Sequence, residues 1–527
     1  MKKIVYFKGL SIVLTLAAVF FVVQACNNLD LQPLDKVSTD TYYKTAGDFD
    51  GAIFAAYSSI QDLWGTSTET LNERGEFWSV TLSTTDDVTT NTKAGNSGGD
   101  YQNARDMDAL NFRSSQTVWA AAYTQIYEAI LRANIVIEAA NSGQNQLTAA
   151  QKTAFVAEAK FVRGIMHFLA LQMWGTPPLV TEVKKDIANL ATGNSTKDAL
   201  YAAILKDLQD AYAGLPASWD ASNSGRATKW SARAFEGKVN VWKKDWTAAI
   251  TAFEDVRKSG PYKLFTGNTA KIDNYEDAFD FKKENGQESI FEVQYGGPFS
   301  DDNLWVFDDT HSEAFKASQG TGRVWYWNPS GDAGAPGGGL GWYVPTKNLV
   351  DEFEAGDPRL TASLYKAGDT YYNKGEGTAP YSASWSSTGY SIRKYFGPRN
   401  AVGAAYSPNG QAGFNNERYY RYAEMVLLYA EALIESGKTT EGLAVINNEI
   451  RARVGLAATT IADPKAALRH ERRVEMAFEM HRWFDIARWG IGSSVFGSAW
   501  NDKYNVFPFP QSEITRSGGK LVQNAGY

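Results

Sequence analysis

Between about residue 40 and residue 260, apolar side chains recur every three or four positions, the spacing of helices with one buried face. In FDGAIFAAYSSIQDLW (49–64), Phe49, Ile53, Ala56 and Ile60 fall on one side. Residues 117–141 repeat the pattern with Trp119, Tyr123, Ile126, Tyr127, Ile130 and Ile137. A third helix is predicted over 148–175, stopped by Gly175 and the Pro177-Pro178 pair, and a fourth over 197–215.

Two further stretches share a finer rule. Gly237 precedes Ala249 by 12 positions and Phe253 by 16, and Ala430 stands in the same relation to Gly442 and Ile446. Small residues at those offsets let two antiparallel helices approach closely, as in a tetratricopeptide pair.

Residues 262–420 change character. Gly, Ser, Asn, Asp and Tyr dominate, with short strand-like runs at SIFEVQY (289–295) and SIRKYF (391–396). Helical spacing returns from 418 to about 490, and the chain closes in a tail read as extended. Long irregular loops on a helical scaffold are where binding residues concentrate.

The first residues are patterned differently again. Lys2, Lys3 and Lys8 precede an apolar run from Gly9 to Ala25, roughly 17 residues against the roughly 20 that span a bilayer. That layout reads as a secretory signal over residues 1–25. Cys26 follows, the one cysteine in 527 residues, so neither a disulfide nor a multi-cysteine metal site is available to it. Val23-Gln24-Ala25-Cys26 resembles a bacterial lipobox, whose cysteine is acylated (palmitate or a similar chain) and becomes the mature N-terminus. The polar segment NNLDLQPLDKVSTD after it suits a tether.

Composition narrows the partners. Net charge is −7, and without the three signal lysines the remainder sits near −10. With no Lys/Arg block, an acidic chain of this kind excludes nucleic acid as a partner. Aromatics are abundant, 16 Trp and 27 Tyr, and many lie in polar loops rather than on helical stripes.

At this point a resemblance emerges. VWAAAYTQIYEAILRAN, AEAKFVRGIMHFLALQMWGTPPLV, GRATKWSARAFEGKV, KKDWTAAI, NGQESIFEVQY, GWYVPTKNLVDEFEAGDPRL, ERRVEMAFEMHRWFDIARWG, FPFPQSEI and the terminal QNAGY occur in order along the chain. Together they resemble the SusD/RagB-type outer-membrane lipoproteins of the Bacteroidetes. The resemblance implies a mostly α fold, tetratricopeptide-like pairs with an irregular, loop-rich ligand-binding portion and a few short strands. It divides the chain into a signal (1–25), a helical region (26–260) and a C-terminal region (261–527). It further implies a non-enzymatic lid on a TonB-dependent, SusC-like transporter, anchored in the outer membrane and capturing oligosaccharides, or in some relatives peptides, with no cofactor. A surface glycoside hydrolase and a peptide-binding or porin-capping scaffold are the alternatives.

Several motifs carry less than they suggest. GKT in EALIESGKTT lacks the upstream glycine of a phosphate loop, Ala432 standing there, and reads as a helix-ending turn. His470-Glu471 opens like a zinc-protease helix, yet Val474 occupies the second histidine position. In ERRVEMAFEMHRWFDIARWG, Glu475, Glu479 and Asp485 each have an arginine three residues away, which favours ion pairs over the raised pKa of a general acid. The acidic loops 83–100 and 301–310 lack the spacing of a calcium hand and read as solvated.

The segment QGTGRVWYWNPSGDAGAPGGGLGWYVP (319–345) is the best candidate site. As a strand it would set Trp325 and Trp327 on one side and Tyr326 on the other. Indole faces complement the C–H faces of sugar rings, while Arg323 and Asn328 could bond hydroxyls. Trp342, in a GW…PT motif, reads more readily as packing, with ligand contact the alternative. Trp78 and Trp385 lie in polar surroundings, and the family resemblance favours Trp78, since loops after the first helix contribute to relatives' glycan sites.

Overall fold

The computed structural model describes residues 42–64, 77, 79–95, 98–186, 191–296, 321–373, 377–398 and 413–527. Cys26 with the preceding signal, Trp78 and the acidic loop 301–310 lie outside the described residues.

The helical expectation holds closely in the first half. Helices α1 (Ala46–Trp64), α2 (Gly98–Asp108), α3 (Thr117–Asn141), α4 (Ala149–Trp174) and α5 (Lys197–Gly214) are followed by α6 (Lys229–Lys243) and α7 (Trp246–Ser259). Phe49, Ile53, Ala56 and Ile60 are all buried, as their spacing requires. Starts are set by side chains that accept the first free backbone N–H groups: Thr148 with Gln151 in a reciprocal box, Thr196, Thr228 and Asp245. Helix α4 stops at Gly175, whose φ of 72° an L side chain would resist. Each of α1, α3, α4, α5, α6 and α7 packs against the next in that order.

The two small-residue pairs are helix hairpins, α6–α7 and α11 (Tyr422–Glu435) with α12 (Thr439–Val445), and α7 lies on α11. A Cβ on Gly237 would sit 2.4 Å from the Phe253 ring; one on Gly442 would sit 2.6 Å from Ile434 and 2.8 Å from the Ala430 carbonyl. The GKT stretch is the turn between α11 and α12, with Gly437 at φ 87°.

Elsewhere the structure departs from the sequence reading. Residues 323–327 form a short helix, α8, rather than a strand. Small helices α9 (Lys347–Glu352) and α10 (Pro358–Ser363) follow. Residues 417–421 are a strand, β8, antiparallel to β2 (Ser289–Val293), so the helix begins only at Tyr422. The other described strand pairs, also antiparallel, are β1 (Val88–Thr90) with β3 (Tyr343–Pro345), β4 (Leu364–Tyr365) with β7 (Ser391–Ile392), and β5 (Thr370–Tyr372) with β6 (Thr378–Pro380). The tail is not wholly extended: Gln511–Arg516 is helical, and Phe507 stacks 4.9 Å from Trp119 and 5.5 Å from Trp483.

ERRVEMAFEMHRWFDIARWG is two helices, α13 (Pro464–Glu475) and α14 (Arg482–Trp489), not one. Between them Phe478 and Met480 adopt φ of 64° and 62°, positions uncommon for L residues. The break follows from buried charge. Arg421 donates to Glu475 at 2.8 Å and to Glu479 at 2.6 Å, Arg359 reaches Glu471 and Glu475 at 2.5 and 3.1 Å, and Arg453 also pairs with Glu475. Lys394 donates to Glu479 at 2.5 Å and to the Ala477 carbonyl at 2.8 Å, while Tyr275 takes the Glu475 carbonyl at 2.9 Å. Carbonyls that a further helical turn would have used are thus claimed by side chains. The acids are ion-paired, as the sequence suggested, but the partners of Glu471, Glu475 and Glu479 come from other parts of the chain rather than from arginines three or four residues away; of the local pairs, Asp485 with Arg488 forms. The members of this network are almost wholly buried.

Arginine charges hold the Glu475 carboxyl down at about 2 despite its burial, while burial lowers Lys394 to about 8 even beside Glu479. Glu475 is therefore ionised at a lower pH in the fold than in the unfolded chain, and its stabilisation is complete above about 4.5 and lost towards 2. The urea midpoint should fall steeply across that window; a flat profile there would contradict the assignment. Separately, Gly237→Ala should lower stability by about 1–3 kcal/mol in urea titration, because overpacking against Phe253 outweighs the helix-propensity gain of about 1 kcal/mol.

Candidate functional site

The loops that carry the candidate residues meet on the β1–β3 ladder, where Val88 faces Pro345 and Thr90 faces Tyr343. Asn91, one residue past β1, ties three of them together. Its backbone N–H donates to the Trp342 carbonyl at 2.8 Å, and its side-chain amide donates to the Gly341 carbonyl at 2.9 Å and that of Trp385 at 3.4 Å. Its side-chain oxygen accepts from the N–H groups of Ser387 at 2.9 Å and Lys93 at 3.1 Å. The Lys93 ammonium then reaches the Ser384 carbonyl at 3.1 Å. Asn91 is buried and uses both ends of its amide.

The glycine-rich segment packs backbone on backbone. A Cβ on Gly338 would stand 2.4 Å from the Pro329 carbonyl, and one on Gly341 2.6 Å from the Ser330 nitrogen. Leu340 and Trp342 donate their N–H groups to the carbonyls of Trp325 and Tyr326 at 2.7 and 2.9 Å, pinning α8 to the strand that follows. Only glycine permits these approaches.

Within α8 the helical conformation separates what a strand would have aligned. Trp327 is fully buried, with its ring 6.4 Å from Tyr395 and 6.5 Å from Phe396. Trp325 is partly exposed. Arg323 is buried too: it pairs with Glu417 of β8 and lies 4.0 Å from the centre of the Tyr395 ring, whose hydroxyl donates to the other Glu417 oxygen at 3.2 Å. Burial pushes the Glu417 carboxyl up, with Arg323 opposing. Asn328 is buried, its amide N–H groups without an acceptor among the described residues.

Trp342 packs 4.9 Å from Tyr326 and 5.2 Å from Tyr101, as its motif suggested. Trp385 belongs to a small separate core with Tyr371 and Tyr381 at 5.4 and 5.3 Å. The loop assembly therefore gathers Trp325, Trp327, Trp342 and Trp385, yet of these only Trp325 keeps appreciable surface. Thr92, Lys93, Asp332 and Ser384 of the same loops are exposed. Asn91 escaped the sequence reading because the 83–100 loop showed only its carboxylates. Those at 86 and 87 are not solvated: Asp86 takes both Arg482 donors at 2.8 Å, and Asp87 accepts from Arg473 at 2.7 Å. Arg473 and Arg482 lie nearly 400 residues along the chain, so local spacing carried no signal for these pairs.

Glu354, His470 and Glu471 bring three ligand atoms together. However, Arg451 pairs with Glu354 at 2.6 Å and Glu471 at 2.9 Å, so the guanidinium already supplies the positive charge that a metal would bring.

Comparison with known proteins places this architecture. The model of the SusD family matches residues 287–506, and one described as starch-binding associating with outer membrane matches 57–241. The chain belongs to the SusD family. A SusD-like protein of Formosa agariphila is 24% identical, the alignment covering 98% of this chain and 99% of that one. A crystal structure of a SusD-like protein from Bacteroides fragilis superposes with a TM-score of 0.74 at 23% identity, covering 94% of this chain and all of the other. Surface glycan-binding protein A from Bacteroides thetaiotaomicron, in complex with laminarihexaose, gives 0.72 at 22% identity over 91% of this chain and 100% of its own. These likenesses fix a mostly helical SusD-like fold.

If Asn91 fastens the three loops, Asn91→Ala should cost about 1–3 kcal/mol through orphaned buried groups. It should also speed amide exchange at Lys93 and Ser387 while leaving α6 and α7 unchanged. Equal exchange in both proteins would refute the role.

Proposed function

We propose that this chain is a surface lipoprotein that binds oligosaccharides and hands them to a SusC-like, TonB-dependent outer-membrane transporter without cleaving them. The observation that carries the reading is Trp325: a partly exposed indole on a turn fixed by buried ion pairs and backbone bonds, at the edge of polar loops. A rigid aromatic face of this kind accepts a sugar ring at little entropic cost. Lys93, Asp332 and Ser384 would supply hydrogen bonds to hydroxyls, and Trp78, outside the described residues, is a second stacking candidate. Family membership supports the same reading, as does the laminarihexaose held by the Bacteroides thetaiotaomicron relative. Acylation of Cys26 would anchor the chain to the outer membrane through the polar tether.

The enzymatic alternative finds little support in the carboxylates of 471–485. Glu471, Glu475, Glu479 and Asp485 are buried beneath arginines, and the last three are held below the usual carboxylate range. A glycosidase acid requires access and a raised pKa.

Affinity electrophoresis against plant, fungal and algal polysaccharides tests the proposal. Wild type should be retarded by at least one polymer. Trp325→Ala should bind about tenfold or more weakly, the loss of one stacked ring, at an unchanged melting temperature. Equal retardation of both proteins, or release of reducing ends by the wild type, would overturn it.

A further inference from the structure

The helical half of the molecule holds a second concave site, away from the Trp325 loops. It is a cavity of about 750 Å³ where the ends of α4, α5, α6, α7, α13 and α14 meet the C-terminal tail. That volume suits a ligand of a few sugar units. Trp242, Trp246 and Trp489 line it together with Tyr201, all partly exposed.

Its charges are unequally committed. Glu431 is saturated: both its oxygens accept from Arg488, one at 2.7 Å, and the Trp489 N–H donates to it at 2.8 Å. Arg488 is itself fixed, wedged between the Trp242 and Trp489 rings at 4.5 and 4.7 Å from their centres and bonded to Asp485 at 2.9 Å. Glu435 is paired with Lys465 at 2.8 Å. Three cations on the lining remain, Lys197, Lys244 and Arg469, whose side-chain charges have no hydrogen bond or ion pair to a described residue. Arg469 lies 5.4 Å from the Trp489 ring centre. In a chain of net charge −7, a cavity whose carboxylates are spent and whose free charges are all positive is a local inversion of sign.

We infer that this cavity is a second glycan subsite, selective for oligosaccharides that carry carboxylate or sulfate groups. The indoles would face the apolar side of a sugar ring, while Arg469 and the two lysines would take the anionic substituent through charge-assisted hydrogen bonds. That the ligand is a sugar rests on the function proposed above; that it is anionic rests on the cavity alone.

Isothermal titration calorimetry on the mature chain separates the possibilities, using galacturonic acid oligomers, their neutral methyl esters, and oligomers of sulfated galactose. At least one anionic series should bind, and whichever binds identifies carboxylate or sulfate as the recognised group. If it is the galacturonate, it should exceed its methyl ester by about tenfold or more, the difference that one charged hydrogen bond makes. The double variant Arg469→Gln/Lys197→Gln should lose that binding while keeping its melting temperature, and added salt should weaken the wild type. Silence towards both anionic series, or equal affinity for galacturonate and its ester without sulfate binding, would overturn the inference. So would anionic binding that survives the double variant, or that vanishes in Trp325→Ala, which would move the ligand to the loops. Failure here would leave the neutral-polysaccharide retardation assay untouched, and failure there would leave this one readable.

Discussion

Glu475 accepts from Arg359, Arg421 and Arg453 in a space closed to water, and the rest of the fold is arranged around satisfying it. A buried carboxylate costs several kcal/mol unless its partners are in place, and so does each buried guanidinium. The partners come from α10, from β8 and from the segment after α12, so the charges are satisfied only when distant parts of the chain have docked. Two consequences follow locally. Helix α13 ends at Glu475 because Arg421, Lys394 and Tyr275 claim the carbonyls there. The segment 417–421 becomes a strand because that conformation sends Arg421 into the network.

The same strand reaches the loops that carry the candidate site. Glu417, four residues before Arg421, pairs with Arg323 at the start of α8. Arg323 thus positions the turn bearing Trp325 rather than meeting a ligand itself. From the other side, Asn91 fastens the loops bearing Trp342 and Trp385, and Asp86 and Asp87 tie the 83–95 segment back to Arg473 and Arg482. Irregular backbone of this length holds one shape because each end is bonded to buried charge.

The helices were legible because burial of one face dictates their spacing, and residue 117 to 141 is helical from end to end. So were the close hairpins, since Gly237 and Gly442 mark positions where no side chain fits. The loops were legible only as composition. VWYW alternates like a strand, but Arg323 must reach Glu417 some 90 residues away, and that tertiary pairing sets its conformation. The partners of Asp86 and Asp87 lie nearly 400 residues along the chain, which local spacing cannot register. Of the aromatic candidates, identity and polar surroundings could not separate Trp325 from Trp327, because which indole faces water depends on the turn that Arg323 imposes.

A crystal structure of the mature chain with its oligosaccharide bound would test the central claim most directly. The account predicts a sugar ring lying on the Trp325 indole, with the Arg323–Glu417 pair and the bonds of Asn91 unchanged from the free protein. A ligand seated without touching Trp325, or loops that rearrange and part those bonds to admit it, would contradict it.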